Sequence, residues 1–274
     1  MNWKAPVHAL STSQPIRDLY SALRKTPIIG PALRQFVRGV LPAETRVWSR
    51  INVGLGKGLW IHLDPRFEMD YVSGIYEEAV ERMLSSHLRP GSVFYDVGAH
   101  IGVLSLVAAR VVGTQGAVFA FEADPANAAR LEEHVQRNGF EQIHVVPCAV
   151  WSSGGRLPFE RASAHSSLNQ GAIAMKQAAT TANTLDVEAI ALDDFGRSHV
   201  LPDLIKIDVE GVEAAVLRGS EEIFTARKPV LICEIHHAEA SREVTQWLSE
   251  RNYSFEWLVN SPNLPRHLLA RWDK

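Results

Sequence analysis

Asp96, Gly98 and Gly102 stand where a short apolar run gives way to a helical pattern, in "VFYDVGAHIGVLSL" over residues 93–106. Gly98 lets the chain turn tightly, and Gly102 lets the following helix come close to the strand. Backbone N–H groups around Ala99–Ile101, at the start of that helix, would favour an anionic or electron-rich ligand group. A dinucleotide pyrophosphate needs the spacing G-x-G-x-x-G. Here the spacing is D-x-G-x-x-x-G, with His100 where a second close glycine should stand. Asp96 would also repel a pyrophosphate. An acid at this point suits a ligand with a positive centre and an ammonium donor, and S-adenosylmethionine meets that description. Glu122 ends the next apolar run, 122 − 102 = 20 residues past Gly102, where a carboxylate accepts the hydroxyls of a ribose. Either acid alone reads equally well as a helix cap. The two at consecutive strand ends, with the glycines between them, favour the cofactor.

The elements that must position these residues follow from periodicity. Prolines open two amphipathic patterns at 15–25 and 31–41, and a glycine-rich turn at Gly54, Gly56 and Gly58 interrupts alternation, predicting a β-hairpin. From Ser92 onward, apolar runs at 93–95, 117–121, 143–146, 204–207 and 229–235 alternate with helical patterns, and further strands are predicted at 253–258 and 267–272. Continuous apolar strands separated by helices predict an α/β fold, a doubly wound parallel sheet covered on both faces. Ligands then bind outside the carboxyl ends of its strands. Residues 1–70 form a basic helical extension and hairpin; residues 71–274 form the main domain. The Ser/Ala/Gly/Thr-rich stretch 152–190 is an insertion whose ends, "GRLPFE" and "TLDVEAI", read as a strand pair.

Composition narrows the function classes. The 274 residues are 46% hydrophobic and 22% charged, an ordinary globular balance. Cys148 and Cys233 lie in apolar runs and read as buried thiols of a reducing compartment; no C-x-x-C pair suggests zinc. No stretch of 18 apolar residues occurs and no signal-peptide pattern opens the chain, so cytoplasm is the default. Residues 1–50 carry eight bases and two acids, 8 − 2 = +6, leaving (28 − 8) − (31 − 2) = −9 for the rest. The basic lead could dock on the body, a partner or an anionic membrane surface. The acidic body disfavours nucleic acid. Oligomeric state is not encoded in any pattern.

In this order along the chain, "SGIYEEAV" (73–80), "FYDVGAHIGVLSL" (94–106), "FEADP" (121–125), "AVWSSGG" (149–155), "SSL" (166–168), "LIKIDVEGVEAAVLRG" (204–219) and "CEIH" (233–236) resemble the FkbM family of S-adenosylmethionine-dependent methyltransferases. The resemblance implies the seven-strand methyltransferase sheet and methyl transfer to hydroxyl groups of polyketides, sugars or other glycan-related acceptors. It also implies cofactor contacts at Asp96, Gly98, Ala99, His100 and Gly102, at Glu122, at Ala149 and Val150 beside the adenine, and at Glu77 near the amino-acid end. Ser166 and Ser167, beside His165, would belong to a lid over cofactor or acceptor. The Asn/Asp-Pro-Pro-aromatic run by which N-methyltransferases of this fold grip an amine is missing after the fourth strand.

Transfer to a hydroxyl requires the protein to hold the acceptor and help remove its proton. In "IKIDVEGVE" Lys206, Asp208 and Glu210 share one face of the extended chain, and four charges so near a buried strand are costly unless paired or functional. The plain alternative is a salt bridge from Lys206 with Glu213 solvated on the next helix. In "CEIHH" alternation places Glu234 and His236 toward the crevice and His237 away from it. Asp208, Glu234 and His236 are the candidate catalytic residues, with an unperturbed histidine suited to general-base work; Glu210 is a candidate acceptor contact. The same three side chains could instead hold a divalent metal, although magnesium prefers an all-oxygen set. A nicotinamide-dependent oxidoreductase would need a glycine fingerprint and a Tyr-Lys pair that are missing. A non-catalytic cofactor-binding scaffold would not need the charges at the fourth and fifth strands.

Overall fold

In the computed structural model the described residues are 13–42, 45–72, 77–161, 172–173, 184–258 and 263–273. The chain forms two compact units, Met1–Glu78 and Ala79–Lys274. In the first, α1 (Gln14–Leu23) and α2 (Gly30–Val40) each carry a proline in the opening turn. β1 (Val47–Arg50) pairs antiparallel with β2 (Trp60–Leu63), and Gly54 and Gly58 take φ of 74° and 86° in the turn between them. Both helices and the hairpin lie where the spacing predicts them.

The second unit runs α3 (Glu78–His87), β3 (Val93–Val97), α4 (Val103–Val112), β4 (Ala117–Phe121), α5 (Pro125–Asn138) and β5 (Ile143–Val146). β6 (Ala149–Val150), β7 (Gly155–Glu160), β8 (Ala172–Ile173) and β9 (Thr184–Ile190) follow, then α6 (Leu192–Gly196) and β10 (Leu204–Ile207). α7 (Glu213–Arg218), α8 (Glu221–Ala226), β11 (Val230–Ile235), α9 (Ala238–Ser249), β12 (Tyr253–Trp257) and β13 (Arg266–Trp272) complete it. The main sheet has seven strands in the order β12-β13-β11-β10-β3-β4-β5. Its five strands from β11 to β5 are parallel.

The expected seven-strand sheet is present, with one strand reversed near an edge. β13 runs antiparallel to both β11 and β12, because the short connection from β12 turns the chain straight back. The ends of the insertion pair as expected: β7 lies antiparallel to β9 in a separate sheet ordered β6-β9-β7-β8. Among the described residues no helix is long and apolar enough to cross a membrane.

Two features set the crevice. The chain leaves β3 toward β4 on one side and β10 on the other, which is the switch point where open α/β sheets bind ligands. Beneath it, Tyr95, Phe119, Phe121 and Phe195 pack edge to face with centroids 5.0–5.7 Å apart. Asp124 caps α5 by accepting from the Ala126 N–H at 2.8 Å, with Pro125 behind it.

Gly98 and Gly102 both adopt left-handed backbone, φ 81° and 80°. A Cβ at Gly98 would lie 1.8 Å from the Asp208 carbonyl oxygen, whereas one at Gly102 would meet the tip of Leu131 at 1.9 Å. Backbone cannot yield as a leucine methyl can. Gly98→Ala is therefore expected to cost at least about 2 kcal/mol and clearly more than Gly102→Ala, as read by urea unfolding. Equal costs would mean that the two loops do not approach as described.

Candidate active site

The loop after β3 is built by backbone bonds that the sequence does not announce. The N–H groups of Gly98 and Ala99 both donate to the Phe121 carbonyl, at 3.0 and 2.9 Å, and that of His100 donates to Glu122 Oε2 at 2.7 Å. This corrects the expectation that N–H groups of this loop stand open toward a ligand: those of Gly98, Ala99 and His100 tie the loop to the end of β4. His100 holds φ 52°, a left-handed conformation uncommon outside glycine and typical of functional loops.

Asp96 is 1% exposed and accepts from Ser105 Oγ at 2.5 Å through Oδ2, while its Oδ1 is buried with no hydrogen-bond partner. Burial raises its pKa, opposed by Lys206 and the Ser105 hydrogen bond. A buried carboxylate oxygen without a donor is a cost that an ammonium ligand removes, and this fits the amino-acid end of S-adenosylmethionine. Glu122 accepts from the N–H groups of Asp124 and His100 through its two oxygens, at 2.8 and 2.7 Å. Burial pushes its pKa up to about 7, against those backbone bonds. The Asn127 side chain also hydrogen-bonds Glu122, and the two oxygens together retain acceptor capacity for a hydroxyl donor.

Ala149 and Val150 occupy β6, where Ala149 packs with Phe159 and Val187 and Val150 joins the main core. Their side chains are thus committed to packing. Glu77 belongs to the first unit and takes φ 49°. His165, Ser166 and Ser167 lie outside the described residues.

The candidate catalytic residues do converge. At the carboxyl end of β10, Lys206 Nζ donates to Asp208 Oδ2 at 3.0 Å. At the adjacent end of β11, His236 Nε2 lies 3.6 Å from Asp208 Oδ1, 3.4 Å from Glu210 Oε2 and 4.0 Å from Glu234 Oε2. His237 points away and caps α9, accepting from the Ala240 N–H at 3.1 Å. Asp208, Glu234 and His236 each offer a ligand atom within 4.8 Å of the others, so the alternative metal set is also brought together.

Two members of this cluster were not predicted. Glu213 has no exposure, in place of the solvated position foreseen for it; its Oε1 bonds His236 Nδ1 at 2.7 Å and its Oε2 is buried without a partner. A signal existed: "EAAVL" offers no polar face beyond the glutamate, so the helix had to be buried on every side. His267 on β13 stands opposite Glu234, with Nε2 3.6 Å from Glu234 Oε2. Only the strand register could have shown that.

The charges sort themselves by surroundings. For His236, burial opposes protonation, but the Glu213 hydrogen bond with Asp208 and Glu210 outweighs it and raises the pKa to about 9. The unperturbed histidine foreseen from sequence is therefore an imidazolium at neutral pH. His267 moves the other way, to about 4, through burial and the neighbouring Lys206. Burial also opposes ionisation of Asp208, yet Lys206 and His236 hold it below the ordinary carboxylate range, while burial leaves Glu210 above its own.

Comparison with known proteins bears on the family and the fold. Residues 96–255 match the Methyltransferase FkbM domain. The chain is 29% identical over 225 residues to the hexuronic acid methyltransferase AglP of Haloferax volcanii, covering 80% of this chain and 84% of that one. It is 30% identical over 181 residues to the 31-O-demethyl-FK506 methyltransferase FkbM of Streptomyces tacrolimicus, covering 56% of this chain and 69% of that one. The crystal structure of methyltransferase FkbM from Methylobacillus flagellatus KT shares the fold at a TM-score of 0.50 and 17% identity; 98% of this chain is covered, spanning 57% of that one.

The histidines give opposite pH signatures in metal-stripped protein. His236, raised from 6.5 to about 9, contributes stability that is complete below the unfolded value and is lost as pH rises through about 9. His267, lowered from 6.5 to about 4, contributes stability that is present above 6.5 and lost as pH falls through about 4. Glu213→Gln should bring the His236 pKa, followed by NMR of the ring protons, down by at least about one unit. An unmoved titration would show that the Glu213 bond does not hold the charge. With its motifs, sheet and site in one register, the chain belongs to the FkbM family of S-adenosylmethionine-dependent methyltransferases.

Proposed function

We propose that the chain moves the methyl group of S-adenosylmethionine to a hydroxyl of a sugar, glycan or other polyhydroxylated metabolite. The observation that carries this reading is the set of three carboxylates around His236 Nε2, at the ends of β10 and β11. The two relatives, one named as a hexuronic acid methyltransferase and one as a 31-O-demethyl-FK506 methyltransferase, support acceptors of this class. When bound, the cofactor supplies an electrophilic methyl. Asp96 would hold its amino-acid end and Glu122 its ribose.

The chain's own task is to orient the hydroxyl and take its proton. Because His236 already carries a proton below about pH 9, the neighbouring carboxylates are the acceptors at neutral pH. Glu210, raised by burial, is closer in basicity to the hydroxyl than Asp208, which Lys206 and His236 hold down. Asp208 and His236 then fix the geometry, and Glu234 completes the enclosure. A second reading follows from the clustering of Asp208, Glu234 and His236. Their mixed oxygen and nitrogen donors, with Glu213 behind the histidine, suit a transition metal better than magnesium.

The test is transfer of labelled methyl from the cofactor to a panel of hexuronic acids, neutral glycosides and macrolide alcohols, with and without EDTA. Asp208→Asn and Glu210→Gln should lower kcat about 10²–10⁴-fold while cofactor binding by calorimetry persists; Asp96→Ala should lose that binding. The rate should hold level between about pH 7 and pH 9 if a carboxylate is the base. A tenfold rise per pH unit up to about 9 would transfer the role to neutral His236. Labelling of amines alone would sink the reading.

A further inference from the structure

In the first unit α1 turns part of its polar set inward and part of its apolar set outward. α1 buries Arg17 and Ser21, at 4% and 3% exposure, beside Tyr20 at 5%; its C-cap Arg24 is 8% exposed, and Ile16 and Leu19 stand exposed at 39% and 59%. The buried arginines are accommodated: Arg17 Nη2 donates to the Trp48 carbonyl at 2.8 Å, and Arg24 Nη2 reaches both Asp70 oxygens at 2.9 Å. In the turn to α2, Ile28 and Ile29 are 88% and 48% exposed, and on α2 Phe36 is 51% exposed. Of the nine large apolar residues exposed among the described residues, seven lie before residue 56, the other two in this stretch being Val53 and Leu55. Such a cluster of outward apolar side chains gains nothing in water.

The charge beside this face selects what would cover it. Of the cations in residues 13–42, Arg17 and Arg24 are buried and Arg24 is paired with Asp70, which leaves Lys25, Arg34 and Arg38 against Asp18, 3 − 1 = +2. Lys25 and Arg38 are exposed next to the apolar residues, whereas Asp18 is partly buried and accepts from Gln14 and Asn52 at 2.6 and 3.0 Å. A two-fold pairing of copies through this face would set the cations of one against those of the other. An anionic lipid surface accepts both the apolar residues and the cations. We infer that α1, the Ile28–Ile29 turn and α2 form a docking surface for an anionic lipid bilayer, on which the helices lie in the interface without crossing it. At 10 and 11 residues neither could span one.

Flotation of the full chain with vesicles of phosphatidylcholine, with and without phosphatidylglycerol, tests this. The protein should float with the anionic vesicles, less so as salt is raised, and little with the neutral ones. Leu19→Glu combined with Ile28→Glu should cut that partitioning at least about tenfold, with the thermal melt unchanged because both sites are exposed. Lys25→Glu should weaken it in the anionic vesicles only. Equal partitioning of wild type and the double variant, or none by either, overturns the inference. So does a dimer in light scattering that the double variant dissolves while neither protein binds vesicles. Methyl transfer is not the readout, so the outcome stands apart from the fate of the proposed acceptor.

Discussion

The bond between His236 Nδ1 and the buried carboxylate of Glu213 is the interaction on which the site depends. Asp208, Glu210, Glu213 and Glu234 crowd the ends of two neighbouring strands. Four acids so close, largely shielded from water, repel one another and are poorly solvated. Two cations make the arrangement tenable: Lys206 beneath Asp208, and the imidazolium of His236 in the centre. Glu213 presses that proton onto the ring from behind, so the ring can face the other three acids from its far nitrogen. Remove the central charge and the cluster must take up protons elsewhere or open to water.

The parts of this assembly differed in how plainly they could be read. The strand ends were legible because each sets an acid at the close of a run of apolar residues, a local pattern of period and chemistry. The same holds for His237, whose alternation with His236 placed it on the far side. Glu213 was misjudged because the isolated letter looks like a solvent-facing helix residue; only the apolar letters around it forbid that. His267 was beyond reach, since it comes opposite Glu234 through pairing of strands about 30 residues apart in the chain, and pairing register is not a local property. The loop N–H groups failed for a related reason: the Phe121 carbonyl that takes them lies on the neighbouring strand.

Opposed protonation of the two histidines ties acid–base capacity to architecture. They share one carboxylate neighbour, Glu234, yet one is held charged and the other neutral. The difference lies in surroundings: His236 has a buried acid bonded to its rear nitrogen, whereas His267 is held neutral by burial and, after it, by Lys206. Sites that must hold one proton while releasing another commonly rest on such divergence between near neighbours.

The antiparallel strand β13 has a consequence for how the site is completed during folding. It is the final strand in chain order, yet it inserts between β12 and β11 in the middle of one flank and delivers His267 to the cluster. It lies beyond residues 96–255, the part shared with the family domain. A slip of one residue in its pairing would set Leu268 or Arg266 opposite Glu234, exchanging a neutral ring for a hydrocarbon or a full positive charge. The charge balance of the cluster is therefore a matter of strand registration, fixed partly by a strand that lies outside residues 96–255.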